Sequence, residues 1–110
     1  MIIQEEWVHD AVEHLRQASQ GAAEAQGNLT RAEYKVKQTR ARLILEAPHT
    51  SMGMREAWAD CHPDFEEICN KLAQARQAVE WYRNERSKCE TICEMWRTQS
   101  ATIRTMGMAA

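Results

Sequence analysis

The most constraining feature of this chain is a pair of apolar seams, in which hydrophobic or small residues recur at alternating steps of three and four. Such steps keep the side chains on one face of an α-helix, and their sustained seven-residue repeat is typical of helices packed side by side as coiled coils. The first seam comprises Val8, Ala11, Leu15, Ala18, Ala22, Ala25, Leu29, Ala32, Val36, Thr39 and Leu43. The second comprises Phe65, Ile68, Leu72, Ala75, Val79, Tyr82, Arg86, Cys89, Cys93, Trp96, Ser100 and Ile103. The sequence therefore predicts an all-α fold built on two long helices.

The first helix is predicted to span about residues 4–46, because Pro48 disfavours helical geometry in the residue before it. Gly27 and a capping-box pattern from Thr30 to Glu33 would allow a second helix to start inside this range. The seam passes through the same region without losing phase, which favours one continuous helix, straight or bent at Gly27.

The connector, residues 47–63, is the only stretch with loop chemistry, and we expect a short helical turn at residues 54–59. That turn would place Met52, Met54 and Trp58 over the end of the helix pair.

The second long helix is predicted over about residues 64–105. Asp64 has the chemistry of an N-cap and Glu67 follows three residues later, as in a capping box. Gly107 and the small residues after it are expected to fray.

Two helices of similar length joined by one connector predict a single domain over residues 1–110, folded as an antiparallel, coiled-coil-like helical hairpin. Alanine in the first seam would let the helices approach closely. Several apolar residues lie off both seams, and a lone hairpin would leave them in water: Ile2, Ile3, Trp7, Val12, Ile44, Leu45, Trp81, Ile92 and Met95. We therefore expect hairpins to self-associate into a homo-oligomer.

Composition excludes a polycation, since 14 basic residues stand against 16 acidic ones and the net charge is −2. No stretch of about 18 apolar residues is present, so no membrane span is predicted. The first residues lack the basic and apolar regions of a signal peptide. A cytoplasmic location is expected, with the four cysteines reduced.

The cysteines and histidines do not indicate a metal or catalytic site. Cys89 and Cys93 lie on the second seam, where cysteine packs as a small apolar residue, and no two-residue-spaced cysteine pair typical of zinc sites is present. His9 and His14 have acids nearby but no nucleophile, and are interpreted as part of a solvated polar face. No cofactor and no enzymatic activity are predicted.

Arg86 occupies a seam position. It is interpreted as a register-setting polar residue paired with Glu13 or Glu24 of the other helix, with a place inside an oligomer's channel as the alternative.

A basic band at residues 31–46, with five basic residues against two acidic ones, is the strongest functional candidate. Lys35, Lys37, Arg40 and Arg42 alternate across two faces of the helix, and folding the hairpin would bring Lys71 towards them. Cations for phosphates, with aromatic side chains such as Tyr34 for bases, are what single-stranded nucleic acid binding requires. A solvated basic face is the alternative interpretation.

The stretch Tyr34-Lys35-Val36-Lys37-Gln38-Thr39-Arg40-Ala41-Arg42-Leu43 resembles the central motif of the UvsY-type phage recombination mediators. In those proteins a lysine-rich helix carries a basic–Ala–Arg–Leu tetrad, here residues 40–43, with arginine instead of lysine at position 40. An aromatic pair, Trp81-Tyr82, then Cys93 and the basic stretch from Arg97 to Arg104 follow in a comparable order, so that the resemblance covers about residues 31–105.

The resemblance implies a helical protein that forms rings and binds single-stranded DNA through Arg40 and Arg42, supported by Lys35, Lys37 and Lys71. It also implies a role in loading a recombinase onto strands coated by a single-strand-binding protein, in the host bacterial cytoplasm if the chain is phage-encoded. The acidic connector departs from the family pattern. The rival hypothesis is a coiled-coil protein-interaction module, such as an adaptor, an assembly factor or a small phage inhibitor, which would use Trp7, Trp58 and that connector.

Overall fold

The computed structural model describes residues 2–109 and contains three helices. They are α1 (Glu5–Glu46), α2 (Met52–Asp60) and α3 (Pro63–Ala109). The prediction of an all-α chain is confirmed: the described part contains no strand. The predicted domain limits, residues 1 and 110, lie just outside the described residues.

Helix α1 is continuous over 42 residues, as the unbroken phase of the first seam favoured. It passes through Gly21 and Gly27 with no residue in the left-handed region. The break that the Thr30–Glu33 pattern allowed does not occur. Instead, the hydroxyl of Thr30 donates to the carbonyl of Gln26 within the helix, so Thr30 is an interior residue and not a cap.

The N-cap prediction for the second long helix was wrong. Helix α3 begins at Pro63, and the imidazole Nδ1 of His62 accepts a hydrogen bond from the backbone N–H of Asp64 at 3.1 Å. His62 therefore has the capping role that we expected of Asp64. Proline at the first helical position fits this start, because its missing N–H would have no helical partner there.

The chain divides into two compact units. The terminal unit contains Met1–Ala22 and Trp81–Ala110, and the connector unit contains Ala23–Glu80. Every residue of the first seam is buried or half-buried, so this seam is the packing face of α1 in both units.

In the terminal unit α1 and α3 run antiparallel. Ile3 contacts Gln99 and His14 contacts Glu85, so that residue numbers fall along α3 as they rise along α1. The side-chain amide of Gln99 accepts from the N–H of Ile3 and donates to its carbonyl, both at 2.8 Å. Ile3, expected to be exposed, is thereby held in place and is 3 % exposed.

The second seam was misassigned at two positions, Arg86 and Ile103, which are both exposed. Arg86 is exposed and pairs with Glu90 of its own helix at 2.9 Å, rather than with Glu13 or Glu24. Glu85 takes the facing position instead, and its Oε2 lies 3.3 Å from Nε2 of His14. The two atoms are within ion-pair distance but lack hydrogen-bond alignment. His14 therefore belongs to the helix–helix contact and not to a solvated face.

The buried residues near the connector are one leucine and two alanines. Leu43 is fully buried, and Ala47 and Ala59 are buried with it. Trp58 is half-buried, and the centre of its ring lies 4.9 Å from that of His62.

Two methionines of the connector do not cover the helix end. Met52 and Met54 lie in the first turn of α2 and are 59 % and 55 % exposed, so the expectation that they would cover the helix ends was wrong.

The two glycines of α1 provide a matched test of the close helix contact. A methyl group added at Gly21 would lie 2.9 Å from Cζ of Tyr82, whereas one at Gly27 would meet only the flexible guanidinium of Arg31 at 3.6 Å. Glycine in a helix costs about 0.5–1 kcal/mol relative to alanine. We expect Gly27→Ala to raise the free energy of unfolding by about that amount in urea titrations followed by circular dichroism, and Gly21→Ala to lose the gain or reverse it.

The same substitution made in a Tyr82→Ala background is the control. Without the ring, Gly21→Ala should stabilise as Gly27→Ala does. Equal gains from the two glycine substitutions in the parent chain would contradict the packing of Tyr82 on Gly21.

Candidate nucleic-acid interface

The five cations predicted as the binding site all lie in the connector unit. Lys35, Lys37, Arg40 and Arg42 belong to α1, and Lys71 belongs to α3. The structure divides them into a group held by carboxylates and a group without ion pairs.

Arg40 is bound to the connector. Its Nε donates to Oδ1 of Asp60 at 2.9 Å, and both side chains are about half exposed. The hydrogen bond to Asp60, then the charges of Asp60 and Glu56, raise the pKa of Arg40 above its usual value. The guanidinium thus has two carboxylates as its immediate electrostatic environment.

Arg42 is held from two sides. Its Nη1 donates to both carboxylate oxygens of Glu46, at 3.1 and 3.2 Å, and its Nη2 donates to Oδ2 of Asp64 at 3.3 Å. The hydrogen bonds to Glu46 and Asp64 raise the pKa of Arg42. The contact with Asp64 ties the end of α1 to the start of α3.

The arginine cluster, defined here as Arg40 and Arg42 with their neighbours Glu46, Glu56, Asp60 and Asp64, carries more negative than positive charge. Two guanidinium groups face four carboxylates. Its ion pairs connect α1 to Asp60 of α2 and to Asp64 of α3. A phosphate that approaches the guanidiniums is repelled by the net negative charge of the cluster.

Lys71 is also paired, with Glu67 one turn earlier at 3.4 Å. Lys35 and Lys37 differ, because neither forms an ion pair with any residue of the described part and both are exposed. Tyr34 is 64 % exposed. Tyr34 and Lys37 are three residues apart in α1, a spacing that places side chains on neighbouring positions of one helical face.

The carboxylate partners were missed when the sequence was considered one helix at a time. Asp60 and Asp64 are 20 and 22 residues from the arginines that they bind. The available signal was the alternation of charge, since the basic band is followed directly by an acidic connector that must fold back to join the helices.

Within residues 2–109 no cluster of three or more His, Cys, Asp or Glu side chains has the arrangement needed to hold a metal ion. Cys89 is buried, and this burial raises the pKa of its thiol. Cys61 is exposed and Cys93 is half-buried.

Comparisons add no assignment: no protein-family model, curated protein or solved structure matches this chain at a significant level. None of the helices in the described residues has the length and apolar character needed to cross a bilayer.

The ion pairs of the arginine cluster should contribute to stability only where salt does not screen them. We expect Asp60→Asn with Asp64→Asn to lower the melting temperature slightly at 20 mM NaCl, because each of two half-exposed guanidiniums loses one charged partner while Arg42 keeps Glu46. At 1 M NaCl the double variant and the parent should melt together. A difference that persists in high salt would show that these side chains act through packing and not through charge.

Proposed function

We propose that this chain is a non-enzymatic helical protein that binds single-stranded DNA through the basic band of α1. The observation that supports this most directly is the state of Lys35 and Lys37. Both ammonium groups are exposed and have no ion pair in the described residues, so they are available to a phosphate without first losing a carboxylate.

Tyr34 supports the same proposal. Its ring is mostly exposed beside Lys37, and an aromatic face next to a cation can stack a base while the cation holds the adjacent phosphate. Stacking is possible only for bases that are not paired in a duplex, so this combination favours single strands over double-stranded DNA.

The residues contribute unequally. Lys35 and Lys37 supply the first phosphate contacts. Arg40, Arg42 and Lys71 are secondary contacts because each must be shared with a carboxylate. The resemblance to the UvsY-type mediators supports an accessory role in phage-type recombination or replication, with a recombinase or a single-strand-binding protein as further partner.

Fluorescence anisotropy with a labelled oligo(dT) at several salt concentrations tests the proposal. Removing Lys35 and Lys37 together by alanine substitution should weaken binding and reduce the slope of log affinity against log salt by about 1 to 1.5, since each phosphate contact on a single strand contributes about 0.7. A duplex of the same sequence should bind more weakly than the single strand.

Alanine substitution of Lys88 and Arg97 provides a control with the same change in net charge. These two residues of α3 are exposed and lie outside the connector unit. Their loss should leave the salt slope nearly unchanged. The proposal fails if the parent ignores the oligonucleotide at low salt, or if both double variants weaken binding equally.

We also propose that the protein works as a homo-oligomer. Eleven large apolar side chains are exposed in the described residues, among them Ile2, Trp81 and Ile103. Ile2, Met95 and Ile103 line one groove of the terminal unit, and contiguous exposed apolar surface is typical of a protein interaction site. Sedimentation velocity at micromolar concentration should give a species several times heavier than the 12.7 kDa chain, and a monomer would contradict the proposal.

A protein-interaction module is the second candidate, and the connector favours it. Leu45, Met52 and Met54 are all more than half exposed near the bend of the chain, and flexible methionines suit the apolar surface of a protein partner. Replacing these three residues with serine should abolish capture of such a partner while leaving oligo(dT) binding intact. Loss of DNA binding in that variant would instead assign the apolar surface to the nucleic-acid site.

A further inference from the structure

The arginine cluster combines two features that the basic band does not explain. The guanidiniums that the tetrad resemblance assigns to DNA phosphates are each bound to carboxylates of the connector or its flanks. Moreover, the carboxylates outnumber the guanidiniums two to one. An acid that only oriented an arginine towards a ligand would not need such an excess.

We propose that Asp60 and Asp64 are intramolecular competitors for the phosphate groups that Arg40 and Arg42 would bind. This inference rests on the proposed function and adds a regulatory contact to the same site. A carboxylate and a phosphate both present oxygens that accept hydrogen bonds from a guanidinium, so one can replace the other. In the structure the carboxylates of Asp60 in α2 and Asp64 in α3 occupy that position.

The geometry limits how strongly Asp60 and Asp64 bind the two arginines. Arg40 uses only Nε for Asp60, and Arg42 uses Nη2 for Asp64 at 3.3 Å. All four side chains are about half exposed, so water screens both pairs. Exchange of each carboxylate for a phosphate oxygen is therefore feasible without unfolding a helix, and rising salt weakens both kinds of contact.

The competition changes how a strand engages α1. Lys35 lies seven residues before Arg42, two helical turns away on the same face. A strand that first contacts the unpaired lysines would reach the arginines only by displacing the connector acids. Contact with all four cations would then break the ion pairs of Asp60 and Asp64 with α1. Tight binding and a more mobile connector would therefore occur together.

The test is oligo(dT) binding by Asp60→Asn with Asp64→Asn. Asparagine keeps the size of the side chain and removes the charge. Because hydrogen bonds to charged groups are worth more than neutral ones, we expect about tenfold tighter binding at low salt and a steeper salt slope. Each single substitution should give part of the gain, and circular dichroism should show unchanged helix content.

A matched control separates competition from a general change in charge. Glu24→Gln with Glu66→Gln removes the same two negative charges from exposed residues of the connector unit that do not contact the arginines. It should give a clearly smaller gain. Adding Arg40→Ala and Arg42→Ala to the aspartate variant should abolish the gain, since the released guanidiniums are its cause.

The outcomes separate the two proposals. If the parent binds oligo(dT) through Lys35 and Lys37 but the aspartate variant binds no more tightly than the glutamate control, the competition is overturned and the proposed function stands. Weaker binding by the aspartate variant would show that the acids position the arginines, and would overturn it too. If the parent does not bind oligo(dT) at low salt, the proposed function fails, and the competition, which rests on it, fails too.

Discussion

The contact between α1 and α3 is made largely by small side chains, and the rest of the structure depends on it. The first seam contains five alanines, and Gly21 beside it has the ring of Tyr82 packed directly against its backbone. Small residues allow close approach but bury little apolar area per residue. Among the residues whose burial is described, Leu43 is the only large apolar side chain that is fully buried, so each unit gains its stability from many shallow contacts and not from one deep core.

The sequence predicted the helices well because their signal is local and repeated. Eleven seam positions in α1 agree on one face, so a single glycine or capping pattern could not outweigh them. The misassignment of Arg86 in α3 shows the limit of that signal. From Tyr82 a step of three reaches Glu85 and a step of four reaches Arg86, and both continue to Cys89. Both candidates are polar, and the choice is made by His14 on the other helix, which no pattern within α3 contains.

The sequence predicted which residues make up the candidate site but not which of its cations are bound to carboxylates. The amino-acid sequence showed which residues are cationic, and the helical periodicity of α1 showed how they divide between two faces of the helix. Whether a cation has an ion-pair partner depends on residues distant in the sequence that the fold brings close to it. Asp60 and Asp64 are such residues, because the connector folds the chain back towards α1. The start of α3 was missed for a related reason: histidine is a rare N-cap, and Asp64 matched the usual preference. Lys35 and Lys37, ranked below the arginines from sequence, are the more accessible cations in the structure.

The burial of Cys89 makes the helix contact observable by thiol chemistry. The thiolate is the form of cysteine that reacts with alkylating reagents, and burial disfavours the thiolate at Cys89. Cys61 is exposed and should react at once, which provides an internal reference within the same molecule. Modification of Cys89 requires α1 and α3 to separate locally, so its rate of alkylation, read by mass spectrometry, would report how often the terminal unit opens.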